Sequence, residues 1–138
     1  MSLAGYTAKQ TKTSPIILVV EDELSVATSL SEALEDRGYQ VVNAKDGISA
    51  VTTARQVKPA AVILDLGLPK QSGLDVLDRF RNDKALFAIP VIVLSEVESS
   101  VVLQRCTELG MSCYLAKSHS SLPKVLEKLA KIVPPPKK

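Results

Sequence analysis

The chain has 138 residues, of which 46% are hydrophobic and 23% are charged, a composition typical of one soluble domain. The net charge of +2 does not indicate a nucleic-acid-binding surface, because four lysines lie in the two tails and all 15 acidic residues lie between Glu21 and Glu127. No apolar run approaches the ~20 residues of a membrane span, and no signal segment is recognisable. Two cysteines without metal-ligand spacing favour a reducing, cytoplasmic setting, and the low aromatic content disfavours single-stranded nucleic acid.

The two ends of the sequence differ from its middle. Residues 1–14 are rich in Thr, Ser, Lys and Gln and have no apolar periodicity, so we predict a flexible N-terminal tail. Residues 134–138 consist of three prolines and two lysines, which predict either a terminus or the start of a linker. Residues 15–133 are predicted to form a single domain, because they contain no internal repeat and no second core.

Short apolar runs alternate with helical patterns along this domain. The first strand is the apolar run Ile16–Val20, which is typical of a strand buried on both faces. The elements predicted after it are, in chain order, helix 23–37, strand 40–44, helix 47–57, strand 60–64, helix 73–82, strand 90–94, helix 100–109, strand 112–116 and helix 122–133. In the second helix, the spacing of Ile48, Val51 and Ala54 predicts that these three side chains face the core.

Five strands that alternate with five helices predict an α/β fold, a doubly wound parallel sheet with helices on both faces. Right-handed crossovers favour the flavodoxin-like strand order 2-1-3-4-5. In such a sheet, ligands bind outside the carboxyl ends of the strands, at the switch point between strands 1 and 3. The residues that follow each strand are therefore the first candidates for function.

Three carboxylates follow the strands at this switch point. Glu21 and Asp22 come after strand 1, and Asp65 comes after strand 3. Carboxylates in one crevice repel each other unless a cation joins them, and hard oxygen ligands beside a phosphate suit Mg²⁺. Ser95 after strand 4 and Lys117 after strand 5 add a hydroxyl and an ammonium group. Such a set suits a phosphoryl group on Asp65, since a carboxylate can be the nucleophile and the other groups stabilise the phosphoryl oxygens.

Five sequence marks, each beside the correct predicted element, carry a resemblance to a known family. They are Ile17–Glu23, Asp65–Pro69 before Gly73-Leu74, Val91–Ser95, Gly110 before strand 5, and Tyr114–Lys117. The domain thus resembles the response-regulator receiver domain of two-component signalling. The resemblance implies a signalling switch that takes a phosphoryl group from a sensor histidine kinase or a phosphotransfer protein, and not an enzyme that turns over a metabolite.

The resemblance also implies a role for each residue of the site. Asp65 would be the phosphoacceptor, Lys117 would pair with the phosphoryl group, and Ser95 would move toward it. Tyr114 would be the switch aromatic, whose ring rotates inward when the serine hydroxyl moves. The Mg²⁺ ligands would be Asp22, Asp65, Glu21 through water, and the backbone carbonyl of Gly67.

The output surface of this family comprises the fourth helix, the fifth strand and the fifth helix, which correspond here to residues 100–133. The resemblance implies that this surface contacts a partner protein and can form a homodimer. Neither direct nucleic-acid binding nor membrane contact is expected. The cognate kinase is not identified by any residue of the chain.

The sequence departs from the family pattern at three points. Glu96 stands directly after the serine, where a small residue is usual, and Ser118 stands where the family typically has a cis proline. A cis bond before a residue other than proline costs about 3 kcal/mol. Gly67 and Val97 lack polar side chains at positions that tune the lifetime of the phosphoryl group. Glu96 and Ser118 leave one alternative open, a pseudo-receiver that docks to partners independently of phosphorylation.

Two further function classes share this fold. A phosphohydrolase with an aspartyl nucleophile needs a second Asp two positions later, where this chain has Gly67. A flavin carrier is disfavoured, because the acidic loop after strand 1 would repel the phosphate of the cofactor.

Overall fold

A computed structural model describes residues 14–68, 72–96, 99–117 and 121–136. Strands and helices alternate throughout this part of the chain. They are β1 (Ile16–Val20), α1 (Leu24–Asp36), β2 (Gln40–Ala44), α2 (Gly47–Val57), β3 (Ala61–Asp65), α3 (Gly73–Arg81), β4 (Val91–Ser95), α4 (Ser100–Glu108), β5 (Cys113–Ala116) and α5 (Ser121–Ile132). The predicted element order is confirmed, and every predicted boundary lies within one residue of the observed one.

The five strands form one parallel sheet in the order β2-β1-β3-β4-β5. β1 lies between β2 and β3, so that Ile17 is in register with Val41 on one side and with Ala61 on the other. The chain leaves β1 for β2 and then returns to β1's other edge with β3, which is the predicted switch point. The fold is therefore the doubly wound, flavodoxin-like sheet expected from the sequence.

Two apolar layers cover the sheet, one on each face. Successive side chains of a strand point to opposite faces, so Leu18 and Val20 join one layer while Ile17 and Val19 join the other. Helices α2, α3 and α4 complete the first layer, and α1 and α5 complete the second. Burial on both faces explains why the three central strands, β1, β3 and β4, are continuous apolar runs rather than alternating ones.

The core face of α2 was predicted incorrectly at one position. Ile48 is 59% exposed, whereas α2 buries Gly47, Ala50, Val51 and Ala54. These four positions follow the helical spacing and centre the core face on Gly47 rather than on its neighbour. Because one residue advances the helix by about 100°, Ile48 is turned away toward solvent.

Gly73 allows the start of α3 to approach the end of β3 closely. A Cβ atom at this position would lie 2.4 Å from the Cα of Leu66 and 2.8 Å from the carbonyl oxygen of Asp65. The backbone N–H of Gly73 donates a hydrogen bond of 3.0 Å to the carbonyl of Leu66. This contact holds the backbone that directly follows Asp65.

At the amino edge of the sheet, the guanidinium of Arg81 joins three segments of the chain. Its Nε donates to the carbonyl of Leu109 at 2.6 Å and its Nη2 to that of Gly110 at 3.1 Å, in the turn after α4. Its Nη1 donates to the carbonyls of Phe87 and Ile89, each at 3.0 Å, in the connection between α3 and β4. Burial lowers the pKa of Arg81. We call this arrangement the Arg81 clamp.

Several predicted features lie outside the described residues. They are residues 1–13 of the N-terminal tail, residues 137–138 of the C-terminal tail, Pro69, Val97 and Ser118. The predicted domain boundaries thus stay predictions. Among the described residues, no helix is long and apolar enough to cross a membrane.

Candidate functional site

The carboxyl ends of β1, β3, β4 and β5 meet at one cleft, which α3 and α4 complete. Its volume is about 650 Å³. The polar and charged side chains that line it are those of Asp22, Glu23, Asp65, Ser72, Ser95, Glu96 and Lys117. Residues far apart in the sequence thus come together where the strand order places them.

Asp65 is the last residue of β3 and is buried, with 3% of its surface exposed. The sequence placed it directly after the strand, but it still pairs in register with Leu94. Its Oδ1 accepts a hydrogen bond of 3.0 Å from the N–H of Gly67, and its Oδ2 accepts one of 2.9 Å from Lys117 Nζ. Both oxygens are therefore oriented by groups of the chain itself.

Lys117 follows β5, and its ammonium group points into the carboxylates. Nζ donates to Asp65 Oδ2 at 2.9 Å and to Glu21 Oε2 at 3.1 Å, and it lies 3.7 Å from Glu23 Oε2. Burial lowers the pKa of Lys117, but the hydrogen bonds to Asp65 and Glu21 raise it by more, so the net pKa is raised. The side chain is thus held as an ammonium ion. Its backbone N–H donates to the carbonyl of Ser95 at 2.9 Å, which fixes the loop that carries it.

Glu21 is a carboxylate whose burial is incompletely compensated. Its side chain is 1% exposed, and Oε2 accepts hydrogen bonds from Lys117 Nζ and from the N–H of Glu23, each at 3.1 Å. Oε1 lies 3.0 Å from Lys117 Nζ, yet it is a buried oxygen without a hydrogen bond. Burial raises the pKa of Glu21 to about 7, although the bonds from Lys117 and Glu23 lower it. The site therefore favours an additional positive charge.

The arrangement of the carboxylates fits a hard divalent cation. Glu21, Asp22 and Asp65 each offer one carboxylate oxygen, and these oxygens lie within 4.8 Å of one another. Two of the three residues are buried, while Asp22 is exposed. An all-oxygen set with one solvent-facing member suits Mg²⁺, which keeps several of its water ligands. For Gly67, the structure shows its N–H bound to Asp65, and its predicted part as a carbonyl ligand stays a prediction.

Ser95 and Tyr114 have different positions relative to this cleft. Ser95 is the last residue of β4, is 6% exposed and lines the cleft together with Asp65. Tyr114 lies on β5, is half-buried and packs against the apolar layer of α2, α3 and α4. Because Tyr114 is not among the residues that line the cleft, any influence on it would pass through neighbouring groups.

Glu96 and Glu23 extend the acidic character of the site. Glu96, noted in the sequence as a departure, is exposed and lines the cleft. Glu23 was given no role of its own, yet its N–H binds Glu21 and its carboxylate approaches Lys117. Its place in the acidic run Glu21-Asp22-Glu23 was the available signal, but acids are also common in the first turn of any helix.

The sequence model of the response regulator receiver domain family matches residues 17–130. The chain belongs to this family. This match confirms the family resemblance inferred from the five sequence marks. Receiver domains are signalling domains and not metabolic enzymes. The match lies within the predicted domain, residues 15–133, whose own limits it does not test.

One similar relative is the alkaline phosphatase synthesis transcriptional regulatory protein PhoP of Bacillus subtilis (strain 168). It is 39% identical over 104 residues, which are 75% of this chain and 42% of that protein. This chain therefore spans less than half the length of that relative. Because the relative is named as a transcriptional regulatory protein, the expectation of no direct nucleic-acid binding is not supported.

Two solved structures show the same fold at greater coverage. The phosphorylated cyanobacterial phytochrome response regulator RcpA is 29% identical with a TM-score of 0.78, covering 86% of this chain and 93% of that chain. The receiver domain of the sensor histidine kinase PA1611 from Pseudomonas aeruginosa PAO1 is 28% identical with a TM-score of 0.76, covering 86% of this chain and 97% of that chain. The second structure is described as having a magnesium ion coordinated in its active site cleft.

Proposed function

We propose that this receiver domain accepts a phosphoryl group on Asp65, from a histidine kinase or a phosphotransfer protein, and thereby switches a protein-interaction surface. The observation that carries the proposal is the 2.9 Å contact between Asp65 Oδ2 and Lys117 Nζ, at a point where the carboxylates of Glu21 and Asp22 also come close to Asp65. The phosphorylated state of RcpA supports it by similarity.

The chemistry follows from the orientation of Asp65. One carboxylate oxygen attacks phosphorus, so an O–P bond forms while the bond from phosphorus to the imidazole nitrogen of the donor breaks. The electron pair of the broken bond stays on that nitrogen. Lys117 pairs with the phosphoryl oxygens, and the hydroxyl of Ser95 donates a hydrogen bond to them. The N–H of Gly67 keeps the carboxylate of Asp65 in one orientation during the attack.

Mg²⁺ is the cation that this site would hold. Its ligands would be the carboxylates of Asp22 and Asp65, that of Glu21 through water, and the backbone carbonyl of Gly67. When bound, the ion supplies neutralisation of the charge that gathers on the transferred phosphoryl group. The buried oxygen of Glu21 without a hydrogen bond supports this assignment, because a cation would compensate it.

The switch would run from Ser95 to the surface formed by α4, β5 and α5. Ser95 moves toward the phosphoryl group, Tyr114 turns inward, and the populations of two states shift. Exposed apolar side chains on α4 support a partner-binding or homodimer surface, since Val101 is 75% and Leu103 is 43% exposed. A cytoplasmic location stays a prediction from the use of cysteine.

The test is labelling by a small phosphodonor. Wild type incubated with acetyl phosphate and Mg²⁺ should gain one phosphoryl group by intact mass, and Asp65→Asn should gain none. Asp75→Asn, at an exposed carboxylate of α3 that does not line the cleft, is the matched control and should label like wild type. Labelling of Asp65→Asn at the wild-type rate would overturn the assignment, and absence of labelling in a folded wild type would favour the pseudo-receiver alternative.

A further inference from the structure

A second cleft of about 570 Å³ adjoins the first, between α1 and α5. Three residues line both clefts, namely Glu23, Glu96 and Lys117. We call these three residues the shared wall. A phosphodonor that approaches Asp65 past this wall meets its outward-facing groups before it reaches the buried ones.

The charged groups of the three side chains in the shared wall point in different directions. The ammonium group of Lys117 faces inward, because it binds buried Asp65 and its side chain is only 11% exposed. The two carboxylates face solvent, since the side chain of Glu23 is 57% exposed and Glu96 is also exposed. The outward face of the wall is therefore negative.

A bound cation does not remove this outward charge. The ammonium of Lys117 and one divalent cation together neutralise the three carboxylates of the proposed metal site. Glu23 and Glu96 then leave negative charge in excess, because Lys117, 3.7 Å from Glu23, is the only cationic side chain among the described residues that line the two clefts and already pairs with Asp65 and Glu21. Like charges a few ångströms apart in a cleft with low-dielectric walls repel more strongly than they do in bulk water.

We propose that Glu23 and Glu96 make the receiver discriminate between phosphodonors by charge, slowing transfer from small dianionic donors relative to donors of lower negative charge. The inference rests on the proposed function of Asp65 and adds the class of donor that the site accepts. A dianion such as acetyl phosphate must approach against both exposed carboxylates. A donor of lower net negative charge meets a smaller electrostatic repulsion.

A comparison of two small phosphodonors separates the effect of donor charge from the phosphoryl transfer that both donors undergo. In both transfers an O–P bond forms to Asp65. Acetyl phosphate loses acetate with the electron pair of the broken P–O bond, and phosphoramidate, whose nitrogen is already protonated at neutral pH, loses ammonia with the electron pair of the broken P–N bond. Acetyl phosphate enters as a dianion at neutral pH, while phosphoramidate carries a lower net negative charge. The measured quantity is the labelling rate constant of each donor at saturating Mg²⁺ and low ionic strength.

Glu96→Gln is the decisive variant, because it removes the charge while keeping the shape, and because Glu23 additionally approaches Lys117. We expect its rate constant with acetyl phosphate to rise roughly threefold to tenfold, and that with phosphoramidate, at half the net charge, to rise only about twofold to threefold. The double variant with Glu23→Gln should extend the rise, and 1 M salt should abolish it. Glu127→Gln, at an exposed carboxylate of α5 outside both clefts, should leave both rates unchanged.

Equal rises with both donors, or no rise with either, would overturn the inference. Either result leaves the proposed function intact as long as Asp65 is labelled in the wild type. If neither donor labels a folded wild type, the proposed function itself fails and the donor comparison fails with it. The two claims are therefore tested separately by one set of reactions.

Discussion

A partly buried cation lies at each of the two edges of the sheet where the strands begin and end, and the two cations have different kinds of partner. At the amino edge, where the strands begin, Arg81 donates hydrogen bonds to four backbone carbonyls, and none of these four acceptors is a carboxylate. At the carboxyl edge, Lys117 is shared by Asp65, Glu21 and Glu23, and one buried oxygen of Glu21 still lacks a hydrogen bond. Arg81 is therefore paired with neutral acceptors, whereas the carboxylates around Lys117 carry more negative charge than its single positive charge neutralises.

This difference separates a structural cation from a functional one. A guanidinium whose N–H groups donate to neutral carbonyls holds chain segments together, and its hydrogen-bonding capacity is then used without any further ligand. A cluster with more carboxylates than cations is stabilised by an added positive charge, and the pKa of Glu21, raised to about 7 by burial, reports that excess. Incomplete compensation is thus the physical mark of the candidate site.

The largest expected effect is at the lysine. Lys117→Met should lower the labelling rate of Asp65 on the order of 10²-fold, because the ammonium that stabilises the phosphoryl oxygens is lost. The rate is measured by intact mass against time. Lys124→Met, at an exposed position of α5, should label normally. If Lys117→Met labels at the wild-type rate, the ammonium has no part in the transfer.

The Arg81 clamp should matter for stability and not for the site. Arg81→Met keeps the apolar part of the side chain but leaves four carbonyls without their donor, so it should lower the free energy of unfolding by about 3 kcal/mol. Arg79→Met, on the exposed side of the same helix, should change it by less than about 0.5 kcal/mol. Urea unfolding measures both, and a loss of Mg²⁺ affinity in folded Arg81→Met would contradict the separation of the two edges.

Gly73→Ala should cost about 2 kcal/mol of unfolding free energy, since its Cβ would meet backbone atoms of Leu66 and Asp65 that cannot move independently. The matched glycine is Gly67, where a Cβ would make only an ordinary contact of 3.7 Å with Asp65 Oδ1. Gly67→Ala should therefore leave stability nearly unchanged. Thermal unfolding compares the two, and equal midpoints would show that the close approach of α3 is not rigid.

The smallest effect is expected at Glu21. Glu21→Gln should weaken Mg²⁺ binding roughly tenfold by calorimetric titration, because one carboxylate of the set is lost. Its folded pKa is raised, so its contribution to the stability of the metal-free protein is lost as the pH rises through about 7. Glutamine does not ionise, so the metal-free variant should lose less stability than wild type between pH 4.5, the ordinary pKa of this carboxyl group, and pH 7. Glu32→Gln, exposed on α1, should behave as wild type in both measurements.

The fold was predictable because the sequence pattern and the topology agree. Continuous apolar runs give strands buried on both faces, and right-handed crossovers then leave few strand orders. The same topology predicted that Asp65 and Lys117 would meet, although 52 positions separate them. The prediction that Ile48 faces the core was wrong, because helical spacing alone does not say whether the core face centres on an apolar residue or on the glycine beside it.

The partners of individual side chains were not predictable. Arg81 lies on an amphipathic helix, where an arginine ordinarily faces solvent, and nothing in the sequence shows that carbonyls of two distant turns surround it. The sharing of Lys117 by Glu23 likewise depends on loop geometry. Such contacts depend on the positions of individual atoms to within a few tenths of an ångström. Patterns of residue type carry no information at that precision.

The central claim is that Asp65 is the residue that takes the phosphoryl group. The most direct measurement is mass-spectrometric mapping of the modified residue after incubation with a phosphodonor, with and without Mg²⁺. We expect one phosphoryl group on the peptide that contains Asp65, dependent on Mg²⁺ and absent from Asp65→Asn. A phosphoryl group mapped to any other residue, or labelling that is unchanged when Mg²⁺ is chelated, would contradict it.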